Sequence, residues 1–215
     1  MAVIRFMNNR ELRDLPDWAE QVSAMSAQQE GALMRAPEVL RRAVRDARIM
    51  LAVDVQVNKV VGCLIAWHLA EKWYEIGTLC VSEQYENMGF QIEDGDSRRD
   101  VGLREKLFSK MVTREPRLFL LTTTVEKHEI DIAQACGFVV APFEQLASYV
   151  FMRTCEVCPP EKMQADHFAS CQLRGSVCRL CVSPLANVEL VRMKTMSASY
   201  RSRITDIDEL GHNPC

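Results

Sequence analysis

Two groups of residues in this chain have types and spacing suited to chemistry. The first is Arg98-Arg99-Asp100-Val101-Gly102-Leu103-Arg104, in which basic residues and a glycine open the helix-patterned run Gly102–Val112. The first N–H groups of a helix have no partner inside it, so a strand feeding such a loop aims donors at a phosphate. A cofactor carrying a pyrophosphate fits that arrangement. The second group is Cys155-x-x-Cys158, followed after 19 residues by Cys178-x-x-Cys181. Four thiolates at this spacing close a tetrahedron around zinc, and the metal would staple a segment too polar to fold around a core of its own. His167 and Cys171 lie between the pairs, which leaves a three-cysteine, one-histidine site open as well.

Regular elements must hold these groups in place. Tyr74–Val81 reads as a strand entering the loop, and Leu118–Leu121 is apolar without alternation, as in a strand covered on both faces. Between them Leu103, Leu107, Phe108 and Met111 share one helical face, with Arg104, Lys106 and Lys110 on the other. A short helix then closes at Ala135-Cys136-Gly137-Phe138. Upstream, Val3–Phe6 reads as a first strand, followed by a helical stretch broken near Pro16 and a second helix entered at Ala36-Pro37. Ile49–Val55 and Val60–Trp67 flank a short polar turn as a hairpin, and with Tyr74–Val81 they predict an antiparallel meander. Gln84–Asp100 is polar and acidic, a long loop. Phe138–Val140, Ser148–Met152 and Val188–Met193 read as later strands, with a loose tail from Ser197. The fold class is α/β with a mixed sheet.

At 215 residues the chain has room for one domain and a small appendage. A net charge of −3 gives no global basic field for nucleic acid. A local patch is also lacking near the cysteines, where Arg153, Lys162, Arg174 and Arg179 are offset by Glu156, Glu161 and Asp166. The apolar runs fall short of the roughly 20 residues that span a bilayer, and Arg5 and Arg10 interrupt any secretory pattern. The expected location is cytoplasmic, where nine cysteines point to metal ligation rather than disulfides. Cys63, Cys80 and Cys136 sit in apolar runs as packing residues.

From Val3 to Arg153 the order of elements resembles the GNAT superfamily of N-acyltransferases. That family's Gln/Arg-x-x-Gly-x-Gly/Ala loop maps to Arg99-Asp100-Val101-Gly102-Leu103-Arg104, with Arg104 in place of the final small residue. A second register would put Gly89 in the motif glycine's place. The resemblance implies the first of three expected parts, and the cysteine spacing gives the second. Residues 1–153 form a GNAT-like acyl-CoA-binding domain, with a mixed, mostly antiparallel sheet flanked by helices. Residues 154–183 form the zinc-binding module, and 184–215 a final strand and tail. The resemblance also implies acetyl transfer from acetyl-CoA to an amine on a small molecule or a protein. Arg99, Val101, Gly102 and Arg104 would meet the phosphates, and backbone groups around Leu79–Val81 the acyl and pantetheine portion.

Such transfer needs a neutral amine, a held carbonyl and a route for the lost proton. Glu75 is the expected base, sharing a strand face with Gly77, Leu79 and Val81 by the period of two; His68 is next. Where many members place a tyrosine as acid for the departing thiolate, this chain has Ala133, which leaves Tyr74 and Tyr85 as substitutes. The alternative reading is a catalytically inactive GNAT-like regulator or adaptor, acting through the zinc module on a protein partner or as a homodimer.

Overall fold

Runs of β-branched and apolar residues build one sheet that organises the fold. The computed structural model describes residues 2–28, 35–86, 90–92, 102–124, 126–154 and 178–195. β1 (Ala2–Asn8) leads through a short helical turn to α1 (Trp18–Ala27) and α2 (Pro37–Ala43). The meander follows as β2 (Arg48–Asp54), β3 (Lys59–Ala70) and β4 (Trp73–Val81). The β2–β3 turn places Asn58 at φ 50°, a left-handed conformation that asparagine tolerates. Asp54 accepts the Gln56 N–H at 3.0 Å and tightens that turn.

Beyond the meander come α3 (Glu83–Glu86), β5 (Phe90–Ile92), α4 (Leu103–Arg114), β6 (Phe119–Thr124) and α5 (Lys127–Ala135). β7 (Val139–Ala141), α6 (Ser148–Arg153), β8 (Arg179–Val182) and a helix over 184–195, α7, complete the described elements. The sheet has eight strands in the order β5-β1-β2-β3-β4-β6-β8-β7. Only β1/β5 and β4/β6 pair in parallel, so it is mixed and mostly antiparallel, as expected.

Both faces of the sheet are covered. On one, Leu103, Leu107, Phe108 and Met111 of α4 pack on Val61, Leu64, Tyr74, Ile76 and Leu120, with Phe108 and Phe138 edge to face at 5.0 Å. On the other, α1 and α2 cover Ile49, Leu51, Cys63 and Ile65. Further along this second face α6 and α7 cover Trp73, Leu121 and Val182. Gly62 allows the close approach of α4 to β3, because a Cβ there would lie 2.9 Å from Leu107 Cδ1.

Several sequence readings change. Ser148–Met152 and Val188–Met193 are helical rather than extended. Both are rich in β-formers, but tertiary packing overrides that preference: Ala186 and Leu190 meet the core four residues apart while Val188 and Val191 face outward. Pro184 opens that helix and the Ser183 hydroxyl accepts the Ala186 N–H at 3.3 Å. The stretch read as one long loop contains α3 and β5, the latter paired with Ala2–Ile4. β8 lies between β6 and β7 in the main sheet, so residues 179–182 belong to the α/β domain and not to a separate module.

Candidate active site

β4 and β6 run side by side only briefly. Trp73, Tyr74 and Glu75 pair with Phe119, Leu120 and Leu121, and there the ladder stops. Past that point β6 pairs on its far side with β8, while β4 stays paired with β3 through Val81. The Thr122 hydroxyl reaches the Ile76 carbonyl at 2.9 Å as a last bridge. Glu75 therefore stands where the two strands part. Because connected sheets rarely open in this way, the gap between β4 and β6 is the natural place for an extended ligand to meet backbone groups.

Glu75 is fully buried. Its Oε1 accepts the Thr123 hydroxyl at 2.5 Å, a short charge-assisted contact from β6 that fixes the carboxylate at the parting. The expected face is corrected, however. Ile65 pairs with Thr78 and Ala66 with Ile76, so β4 carries an extra residue at Gly77. Such a bulge shifts the alternation by one. Leu79 and Val81 consequently pack with Tyr74 and Ile76 on the α4 face. Glu75 lies on the opposite face with Trp67, its partner across β3, whose indole N–H donates to Thr78 at 3.3 Å.

At the other wall, α4 begins at Gly102 with no side-chain cap. Gly102 has φ −60° and ψ 154°, which any residue adopts, and a Cβ there meets nothing within 4 Å. Among the described residues nothing in the fold requires a glycine here. Arg99, Val101 and Gly89 lie outside the described residues. Arg104, expected near the phosphates, directs its side chain to protein groups here. Its Nε donates to Glu86 at 2.7 Å and its Nη1 to the Leu79 carbonyl at 3.4 Å, so the guanidinium lies against β4.

The remaining candidates are placed as follows. His68 is exposed at the end of β3 and contacts the Glu71 carbonyl at 3.1 Å. Ala133 is wholly buried on the inner face of α5. Tyr85 donates to Asp54 at 2.9 Å, and burial followed by that carboxylate pushes its pKa up. Tyr74 is buried beneath the Arg48 guanidinium. Thr123, Trp67 and Glu86 were not singled out in the sequence; the polar Thr122-Thr123-Thr124 end of an otherwise apolar strand was the available signal for the first.

Of the four cysteines expected to hold zinc, Cys178 and Cys181 are among the described residues. Cys181 packs in the core beneath α5, while Cys178 packs on the opposite face with Leu180 and Val182. Residues three apart on a strand point to opposite sides, so this pair does not converge on one metal. Cys155, Cys158, His167 and Cys171 lie outside the described residues. Among the described residues no group of three or more histidine, cysteine or acidic side chains is placed to hold a metal ion. Nor is any described helix long and apolar enough to cross a membrane.

No family model matches the chain, and no curated protein matches its sequence. Solved structures do share its fold. A Mycobacterium tuberculosis protein in complex with CoA and NLQ superposes with a TM-score of 0.53 at 15% identity, over 78% of this chain and 93% of that one. A GNAT-family acetyltransferase from Staphylococcus aureus gives 0.49 at 14%, over 84% and 98%. One from Elizabethkingia anophelis with acetyl-CoA bound gives 0.40 at 14%, over 68% and 81%. At these identities the likeness concerns the fold.

Proposed function

We propose that this chain is an acyl-CoA-dependent N-acyltransferase that moves an acetyl group from acetyl-CoA to an amine. The observation that carries this reading is the opening of the β4–β6 ladder directly after a buried, hydrogen-bonded Glu75. The acyl and pantetheine portion would lie along β4 between Gly77 and Val81, and the pyrophosphate at the N-terminus of α4 by Gly102. The amine nitrogen attacks the thioester carbonyl, forming the C–N bond as the C–S bond breaks. Glu75 takes the proton lost by the amine, directly or through a water, and the departing thiolate takes one from solvent. A thiol of ordinary pKa near 8.5 leaves without a dedicated acid, which accommodates Ala133.

Two measurements test the reading: calorimetry of the intact protein with CoA, and release of thiol from acetyl-CoA over a panel of amines. Absence of CoA binding overturns it. A second reading, a catalytically silent acyl-CoA-binding or adaptor domain, is favoured by Arg104, whose guanidinium lies on the Leu79 carbonyl where a ligand would pair. Binding without turnover on any amine selects that reading.

A further inference from the structure

Arg35 immediately precedes α2, and its guanidinium stacks over the Trp67 ring with Cζ 5.1 Å from the centroid. Its Nε is buried and has no hydrogen-bond partner among the described residues. Arg41, on α2, is by contrast matched by Glu20. A guanidinium with a buried donor left unmade is costly, because its desolvation is not repaid by an acceptor. Burial also lowers its pKa, which reports the same desolvation.

The surroundings say what would satisfy it. Trp67 holds the guanidinium from one side, and is itself held by the bond from its indole N–H to Thr78. Directly across the strand pair from Trp67 is Glu75, on the same sheet face. Side chains facing each other in this way start only about 5 Å apart at Cβ. The same indole thus stacks on a guanidinium whose Nε has no acceptor among the described residues and neighbours, across the strand pair, a buried carboxyl group. That pairing of charges is complementary to a molecule carrying both an ammonium or amine and an anion. Guanidinium recognises a planar carboxylate by parallel N–H donors.

We propose that Arg35 is the counter-ion for a carboxylate on the acyl acceptor, so that the acceptor is an amino acid or a similar amine bearing a carboxylate, its nitrogen directed to Glu75. The inference rests on the acyltransferase reading for the role of Glu75, but the carboxylate site itself does not depend on CoA. Trp67 orients the guanidinium, and Glu75 excludes acceptors that would bring a second negative charge to the amine end.

The test titrates the full chain with the common L-amino acids, each paired with its decarboxylated amine, by calorimetry and by tryptophan fluorescence. At least one amino acid binds, and its decarboxylated partner binds about tenfold or more weakly, corresponding to one lost charge-assisted hydrogen bond. Arg35→Gln abolishes that difference, and Arg35→Lys, which keeps the charge but not the fork, restores part of it. Circular dichroism and melting of both variants establish that they are folded. The proposal is overturned when no amino acid binds the wild-type chain, when the decarboxylated amines bind equally well, or when folded Arg35→Gln keeps the preference. Separate calorimetry with CoA keeps the two questions apart: failure there overturns the acyltransferase reading, while the amino-acid titration still decides for or against Arg35.

Discussion

The two edges of β4 have opposite fates. Along its β3 edge the strand is paired from Trp73 to Val81, with one bulge at Gly77. Along its β6 edge it is paired only from Trp73 to Glu75. The same nine residues therefore supply stability on one side and unladdered backbone on the other. Backbone N–H and C=O groups demand partners wherever they are buried, and on the proposed reading the acyl-CoA supplies them along this edge. The comparison teaches that residues at the junction, Glu75 above all, belong to both regimes. They are buried like core and positioned like chemistry.

Changes at the junction are expected to have the largest effect. Glu75→Gln keeps an acceptor oxygen for the Thr123 hydroxyl and similar volume, so the protein remains folded. It removes the proton acceptor, which typically contributes on the order of 10²–10³-fold to rate. Thiol release from acetyl-CoA with a productive amine measures this, with CoA affinity as the control. Undiminished turnover in a folded Glu75→Gln protein would move the base elsewhere and dissolve the distinction drawn for the junction.

The next pair of changes separates the edges themselves. Gly62→Val strikes the closed side, where a Cβ meets Leu107 Cδ1 at 2.9 Å, Val81 Cγ2 at 3.3 Å and the Cys80 carbonyl at 3.4 Å. Overpacking of this kind costs about 1–3 kcal/mol, readable as a lower midpoint in denaturant. Gly102→Val strikes the open side, where a Cβ has nothing within 4 Å and the backbone angles suit any residue. Its stability stays close to wild type while CoA binding weakens about tenfold, as a side chain intrudes where the phosphates approach. The reverse pattern, with Gly102→Val unfolding the chain and leaving CoA affinity intact, breaks the comparison.

Arg104 gives a smaller and more diagnostic effect. Its contacts with Glu86 and Leu79 lie across the open edge, so a ligand pairing with β4 must displace them. Arg104→Ala is expected to tighten CoA binding about threefold to tenfold, at a stability cost of about 1 kcal/mol for a partly exposed ion pair. Weaker binding would instead place the guanidinium on a phosphate in the complex.

The parts legible in the sequence are those where local pattern and tertiary role agree. The meander could be read because Ile49–Val55, Val60–Trp67 and Tyr74–Val81 are β-rich runs bounded by polar turns, and α4 because Leu103, Leu107, Phe108 and Met111 keep helical spacing. Glu75 was found as a carboxylate on the strand entering the glycine loop, but its face was not. The bulge at Gly77 is a property of pairing with β3, and period-two counting has no access to it. The CxxC pair at Cys178 and Cys181 meets a related limit. Spacing suggests a turn with converging thiols, whereas recruitment of Arg179–Val182 into the sheet turns them to opposite faces. Arg35 carried no signal at all, since its meaning depends on Trp67 lying beneath it and on what does not lie beside it.

The smallest expected effect tests how tightly α4 and α5, on the face that carries Leu79 and Val81, pack on each other. Cys136 ends α5, and its thiol meets the Glu105 carbonyl of α4 at 3.8 Å. Burial, and then the Glu105 charge, raise its pKa from an ordinary 9.0 to about 11. The folded state thus holds this proton more tightly than the unfolded chain. Its contribution is fully present below the ordinary value and is lost as pH climbs toward 11, so stability falls with rising pH over that window. Comparing denaturant midpoints of the wild-type and Cys136→Ala proteins from pH 8 to pH 11 isolates the effect from the other cysteines and tyrosines. The variant should show the shallower decline, and at pH 8 the wild-type thiol should resist alkylation until the protein unfolds. Parallel declines, together with rapid alkylation of the folded protein, would mean that α4 and α5 separate readily.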